Sequence, residues 1–385
     1  MFIDIHCSQC KKHGQNALGD AFLSSRQSAQ GRLIAVLSDG LGSGIKANIL
    51  ALMTSTMLLR FIEEDVPIKK AAETIMNSLP VCQIRKISYA TFSAVDCDDE
   101  GNVKIVEEGN PDFIWLRGGE VLNADYQEIA SSSFPNRKMK IYRFKALLGD
   151  RLVFCSDGVT QAGLGRPEYR LGLRRSGLAR FLTETLTQSP ELSSIDLADA
   201  VVQKALEVEG DFRAKDDVSA CALYFRNPRR SLVFTGAPYD QSKDGEYARA
   251  FSLFEGRKAI CGGTTSNIIS RELKRPITTP VCMTSGDLPP LSYMDGVDLI
   301  TEGILTLTRT LEYLEQGVQK QDAAGQLVAF FMESDVIEFM LGAKLNQAHY
   351  DPSLPIEMEL RKDVVRKIAA VLEKKYLKRV IIQHI

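Results

Sequence analysis

Two places in the chain carry the same five-residue pattern, Val36-Leu37-Ser38-Asp39-Gly40 and Phe154-Cys155-Ser156-Asp157-Gly158, each closing a short apolar run. An aspartate just beyond a buried strand is held by rigid backbone yet faces the sheet edge. The glycine after it permits a tight turn and the close approach of a ligand. Lys215-Asp216-Asp217-Val218-Ser219 supplies further carboxylates at a third strand boundary, and Leu18-Gly19-Asp20-Ala21-Phe22 a fourth position near the start. Four carboxylate positions without a matching His or Cys cluster favour hard cations, Mg²⁺ or Mn²⁺, over Zn²⁺. Clustered carboxylates repel one another unless a cation stands between them. Two such ions roughly 3.5–4 Å apart can activate a bridging water and clamp a phosphoryl group for in-line attack. Any one Asp-Gly is an ordinary turn; the ordered set is what points to chemistry.

The elements that must position these residues follow from periodicity. Arg32–Ser38 is an apolar run of strand length, and Ile45–Glu63 has the apolar spacing of a helix buried on more than one side. Ile68–Leu79 reads as a second helix. Tyr89–Asp96, Val103–Glu107, Phe113–Arg117, Met139–Phe144, Arg151–Ser156 and Ser219–Phe225 read as strands, and Leu178–Leu186 and Ser194–Glu209 as helices. Mostly antiparallel strands with helices packed outside make a layered α+β, αββα arrangement over residues 1–226. The polar, Pro-containing stretch Arg226–Arg230 then marks a boundary. A second α/β domain is expected over 231–385: a strand at Ser231–Thr235, a Gly-rich turn into a helix at Cys261–Leu273, helices near 302–316, 334–346 and 357–378, and a final apolar run Val380-Ile381-Ile382.

The order Gly19-Asp20, Ser38-Asp39-Gly40-Leu41-Gly42-Ser43-Gly44, Gly109-Asn110-Pro111, Ser156-Asp157-Gly158-Val159 and Asp216-Asp217-Val218-Ser219 resembles the metal-dependent protein phosphatases. It is most similar to the SpoIIE-like bacterial branch of the type 2C (PPM) enzymes, over about residues 1–226. The resemblance implies a β-sandwich flanked by helices with a site for two Mn²⁺ or Mg²⁺ ions at one end. By motif position Asp39 would bridge both ions, the Gly40 carbonyl would bind the first, and Asp157 and Asp216 would hold the second. Asp20 would act as a ligand directly or through water, and Asp217 would orient Asp216 or a bound water. The implied reaction is hydrolysis of phosphoserine or phosphothreonine on a regulatory partner protein by a metal-bridging water. Eukaryotic-type members place a His after the Asp-Gly; here Leu41 stands there. That departure supports an alternative, a weak or inactive phosphatase fold that signals through its C-terminal domain.

Other segments carry open readings. Thr160–Arg175 contains Arg166 and Arg170 and is either a loop that captures a phosphoprotein or a plain solvated loop. His6-Cys7-x-x-Cys10-x-x-His13 looks like a zinc or redox patch, but on a strand Cys7 and Cys10 face opposite sides. Cys261-Gly262-Gly263-Thr264-Thr265-Ser266-Asn267 could bind an anion at a helix start, with ordinary N-capping the preferred reading. Lys plus Arg numbers 47 against 49 for Asp plus Glu, so there is no global basic field for nucleic acid or an anionic membrane. With 44% hydrophobic residues and no export-type N-terminus, the expectation is a cytoplasmic protein with reduced thiols.

Overall fold

The computed structural model describes residues 1–68, 70–71, 74–75, 90–130, 138–279, 288–342 and 354–385. The chain forms two compact units, Met1–Asn227 and Pro228–Ile385. Most of the expected helix at 68–79 lies outside the described residues.

The first unit holds two antiparallel sheets. One has the order β1 (Phe2–Cys10), β11 (Val218–Arg226), β10 (Arg151–Cys155), β6 (Ile114–Arg117), β7 (Glu120–Leu122). The other runs β2 (Asp20–Gln27), β3 (Arg32–Gly40), β4 (Ala90–Asp98), β5 (Asn102–Glu108), β9 (Lys138–Lys145), β8 (Tyr126–Ala130). The apolar runs are continuous because both faces of these strands are covered. Leu33, Ala35 and Leu37 of β3 point into a core shared with Leu152 and Phe154 of β10 and with Cys221, Leu223 and Phe225 of β11. The intervening Ile34 and Val36 pack with Leu58, Leu59 and Ile62 of helix α1 (Ile45–Glu63). On the far side, Val153, Ala220 and Ala222 pack with Leu178 and Leu182 of α3 (Arg174–Gln188) and with Leu197 and Val201 of α4 (Ser194–Glu209). The short turn α2 (Asp157–Thr160) follows β10 directly. The layering is helix, sheet, sheet, helix. By length and composition α1 is apolar enough to cross a bilayer, yet seven of its residues are buried in the unit.

The second unit is built on a parallel sheet of order β14 (Leu299–Thr301), β13 (Arg257–Cys261), β12 (Arg230–Thr235), β15 (Val336–Leu341), β16 (Arg379–His384). Helices α5 (Asp244–Leu253) and α6 (Gly263–Leu273) cover one face. The other face carries α7 (Ile304–Gln316), α8 (Ala323–Met332) and α9 (Leu354–Tyr376). The sequence suggests a helix near 334–346, and here the structure differs: Val336–Leu341 is a strand, and the helix precedes it at 323–332. The physical reason is burial on both faces. Ile337, Phe339 and Leu341 face one core while Met340 packs on the other, so the apolar run has no period that separates helix from strand.

Candidate functional site

The carboxylates gather at one end of the sandwich because strand ends and register put them there. Asp20 opens β2 and lies opposite Asp39 in the β2–β3 ladder. Asp157 starts α2 one residue after Ser156 caps the end of β10, and Asp216-Asp217 lead into β11, the neighbour of β10. Two backbone approaches lock these segments. A Cβ on Gly40 would stand 1.9 Å from the Ala47 carbonyl oxygen of α1, and one on Gly158 would stand 2.1 Å from the Asp217 carbonyl oxygen. Only glycine fits either position. Gly19 sits likewise against Asp217, whose Oδ2 would lie 2.5 Å from a Cβ there.

Charge is concentrated accordingly. Burial, then Asp20, Asp157 and Asp216, push the Asp39 carboxyl up to about 9. Asp157 is also raised, by burial and by Asp216, and the protonated Asp39 carboxyl hydrogen-bonds to it. Burial pushes Asp20 up to about 6, opposed by the Ser219 and Ser156 hydroxyls. Asp20 is 2% exposed, and its Oδ2 accepts from Ser219 Oγ at 2.6 Å. Its Oδ1 is buried and, among the described residues, has no hydrogen-bond partner. An orphaned carboxylate oxygen among mutually repelling carboxylates is the chemistry of a group set to meet a cation. The residues therefore fit hard divalent ions, although among the described residues no three acidic, imidazole or thiol groups already form a closed coordinating set.

The two halves of the acidic pair diverge. Asp216 is half-exposed and contributes to the raised Asp39, whereas Asp217 is buried and its Oδ1 accepts from the Lys12 backbone N–H at 2.9 Å. The Asp217 N–H also donates to Asp216 Oδ1 at 3.0 Å, so Asp217 holds its neighbour's side chain in place.

The sequence does not single out Lys12 or Gln161, and Ser156, Ser219 and Asn110 stand in its motifs without an assigned role. Lys12 Nζ stands 3.8 Å from Asp216 Oδ1. Gln161 Nε2 donates to Asp157 Oδ2 at 2.7 Å. Ser156 and Ser219 bridge β10 and β11, the Ser219 N–H donating to Ser156 Oγ at 3.1 Å. Asn110 accepts from Thr91 Oγ1 and donates to Ser93 Oγ at 3.2 Å; Thr91 is the register partner of Asp39 on β4.

Two further segments are placed by the fold. In the Thr160–Arg175 loop, Arg166 Nη1 donates to the Val208 carbonyl at 2.8 Å, and the guanidinium lies against Gly210 at the end of α4. Arg170 is exposed on the same loop. In the His6/Cys7/Cys10/His13 segment, Cys7 packs on the core between the sheets and Cys10 on the helical core, so the two thiols face apart. Cys7 instead faces Cys221 across the β1–β11 ladder.

A family model for Stage II sporulation protein E (SpoIIE) matches residues 29–226, slightly more than half of the chain. The chain belongs to the SpoIIE family. It is 23% identical over 204 residues to Stage II sporulation protein E of Bacillus subtilis (strain 168), across 52% of this chain and 24% of that protein. The matched stretch thus spans about a quarter of that relative's length. Among solved structures it resembles the PP2C phosphatase domain with a fragment of the regulatory domain of SpoIIE from Bacillus subtilis, with TM-score 0.47, 19% identity and coverage of 58% of this chain and 62% of that one. A second similar structure comprises the RsbU and RsbW domains of Rv1364c from Mycobacterium tuberculosis, with TM-score 0.45, 17% identity and coverage of 65% and 67%. In this SpoIIE-family unit the residue after Asp39-Gly40 is Leu41, so no imidazole follows the strand end.

Proposed function

We propose that the first unit is a Mn²⁺- or Mg²⁺-dependent phosphatase that hydrolyses phosphoserine or phosphothreonine on a regulatory partner protein. The observation that carries this reading is the raised Asp39 carboxyl, set among Asp20, Asp157 and Asp216 at one end of the sandwich. Asp39, the Gly40 carbonyl, Asp157 and Asp216 would hold two ions, with Asp20 and its orphaned Oδ1 as a further donor. When bound, such ions supply Lewis acidity, an activated water and neutralisation of the phosphoryl oxygens.

The chain's own groups do the rest. The raised Asp39 carboxyl would have to give up its proton to serve as a ligand, so uptake of hard cations would release protons. Gln161 orients Asp157, and the Lys12 and Asp217 backbone amides orient Asp217 and Asp216. Lys12 adds one positive charge beside the half-exposed Asp216, where it would favour an anionic substrate. With Leu41 in place of an imidazole, this segment supplies no acid for the leaving serine or threonine oxygen, which favours a slow enzyme.

The test is hydrolysis of a phosphoserine peptide by the full chain. Turnover that needs Mn²⁺ or Mg²⁺ and falls by at least about a hundredfold in Asp39→Asn supports the reading. Turnover that survives EDTA, or an Asp39→Asn variant with normal activity, ends it.

A further inference from the structure

In the second unit, the strand order places β12 at the centre, with α5 and α6 on one face and α7, α8 and α9 on the other. The chain changes faces between β12 and β15, which makes their C-terminal ends a topological switch point. Open parallel sheets bind ligands in the crevice at such a point. Glycines line it here. Gly236 follows β12 with φ +84° and Gly342 follows β15, while Gly262 and Gly303 precede α6 and α7.

One cation reaches into this edge. Arg361 of α9 places Nη1 3.2 Å from where a Cβ on Gly236 would sit and Nη2 3.9 Å from the corresponding point on Gly303. Its Nε is buried, and among the described residues it has neither a hydrogen-bond partner at Nε nor a carboxylate partner. Thr235, the last residue of β12, is fully buried with its hydroxyl also unpartnered. By strand alternation it shares the sheet face of Val233, the face that α9 covers, and it directly precedes the glycine beside the guanidinium. Two unsatisfied buried groups at one sheet edge are a specific deficit.

The helix starts at this edge differ in a telling way. At α7 the Glu302 carboxylate already accepts from the Leu305 N–H at 3.2 Å. At α6 no side chain caps the start: the N-cap is Gly262, and Ser266 Oγ donates to the Gly263 carbonyl instead. The capping that Thr264, Thr265 and Ser266 suggest in the sequence is therefore absent at the α6 start. Gly263 has open space where a Cβ would be, and Gly262 lies against Gly303.

We propose that this edge binds the phosphate of a small phosphorylated ligand, with the open α6 amides and the Arg361 guanidinium as donors and Thr235 completing the cradle. The inference is independent of the phosphatase reading, since it uses only the second unit.

The test uses the full chain in EDTA, titrated calorimetrically with inorganic pyrophosphate and with ADP. Saturable binding of either is expected, with ADP tighter if a nucleoside is recognised in addition to phosphate. Arg361→Met and Gly263→Asp, the latter setting a carboxylate in the open space at the amides, should each weaken binding at least about tenfold. Thr235→Val removes only an unpartnered hydroxyl and so keeps the fold if Arg361→Met does not; it too should weaken binding. No binding of either probe overturns the proposal, as does binding unchanged in all three variants. Binding abolished by Asp39→Asn would overturn it by placing the anion in the first unit.

Discussion

Asp20 and Asp39 are direct partners across the β2–β3 ladder, so the register of the sheet sets two like charges on one face. Facing like charges destabilise a strand pair by about 0.2–1 kcal/mol. A slip of one residue would relieve the clash but turn the buried face of one of the two strands outward. The pair is held by the core and relieved by a proton or a cation. In EDTA at mildly alkaline pH, Asp39→Asn should therefore melt above the natural protein, since the amide can still donate to Asp157. With Mn²⁺ the order should reverse, because only the natural protein gains stability from the ion. Paired melting curves with and without metal check this; a variant that melts lower in EDTA, or gains as much from Mn²⁺, contradicts it.

Gly40 couples that pair to α1. A Cβ there would meet the Ala47 backbone oxygen at 1.9 Å, and backbone cannot step aside as a flexible side chain can. Gly40→Ala must push α1 away from the end of β3, at a cost of about 1–3 kcal/mol. A lower melting temperature together with loss of most activity is expected. Wild-type stability and turnover in this variant would show that the approach does not constrain the site.

Glu107 gives the pH dependence. It is buried, accepts from the Phe113 N–H at 3.1 Å and from Ser93 Oγ at 3.3 Å, and burial pushes it up to about 8 from 4.5, helped by Asp112. A carboxyl raised in the folded state gives stability that is complete below about pH 4.5 and is lost as pH rises through about 8. Glu107→Gln, always neutral, should match the natural protein near about pH 5 and exceed it near about pH 9 by the order of a few kcal/mol. Denaturant melts at the two pH values measure the difference; a gap that does not grow with pH refutes the assignment.

What could be read from sequence, and what could not, follows from where the information lies. The β3 run and its SDG end are legible because burial on both faces leaves an unbroken apolar string, and the turn chemistry sits next to it. Strand β2 is harder: beyond Phe22 and Leu23 its Ser24-Ser25-Arg26-Gln27 is polar and half-buried at a sheet edge. Lys12 meets the acidic cluster only through a tertiary contact, 205 residues from Asp217, so spacing cannot reveal it; Ser156 and Ser219 stand inside the motifs, but that they bridge β10 and β11 is visible only in the fold. The 334–346 segment misleads because a short apolar run fits helix and strand alike.

Arg166 and Arg170 show the same limit, since an arginine in a Gly-rich loop reads alike whether docked or free. The structure separates them. Arg166 donates to the Val208 carbonyl in the last turn of α4, where a cation also suits the helix dipole, and Gly210 with φ +87° leaves room for its guanidinium. Arg170 is exposed, and its carbonyl accepts from the Gly165 N–H at 3.3 Å. Arg166→Ala should therefore cost about 1 kcal/mol of stability while leaving KM for a phosphoserine peptide unchanged. Arg170→Ala should leave the melting temperature alone and raise KM, if this loop is where an anionic partner lands. Measuring both quantities for both variants decides the matter: a KM rise confined to Arg166→Ala would return that residue to the substrate side of the loop.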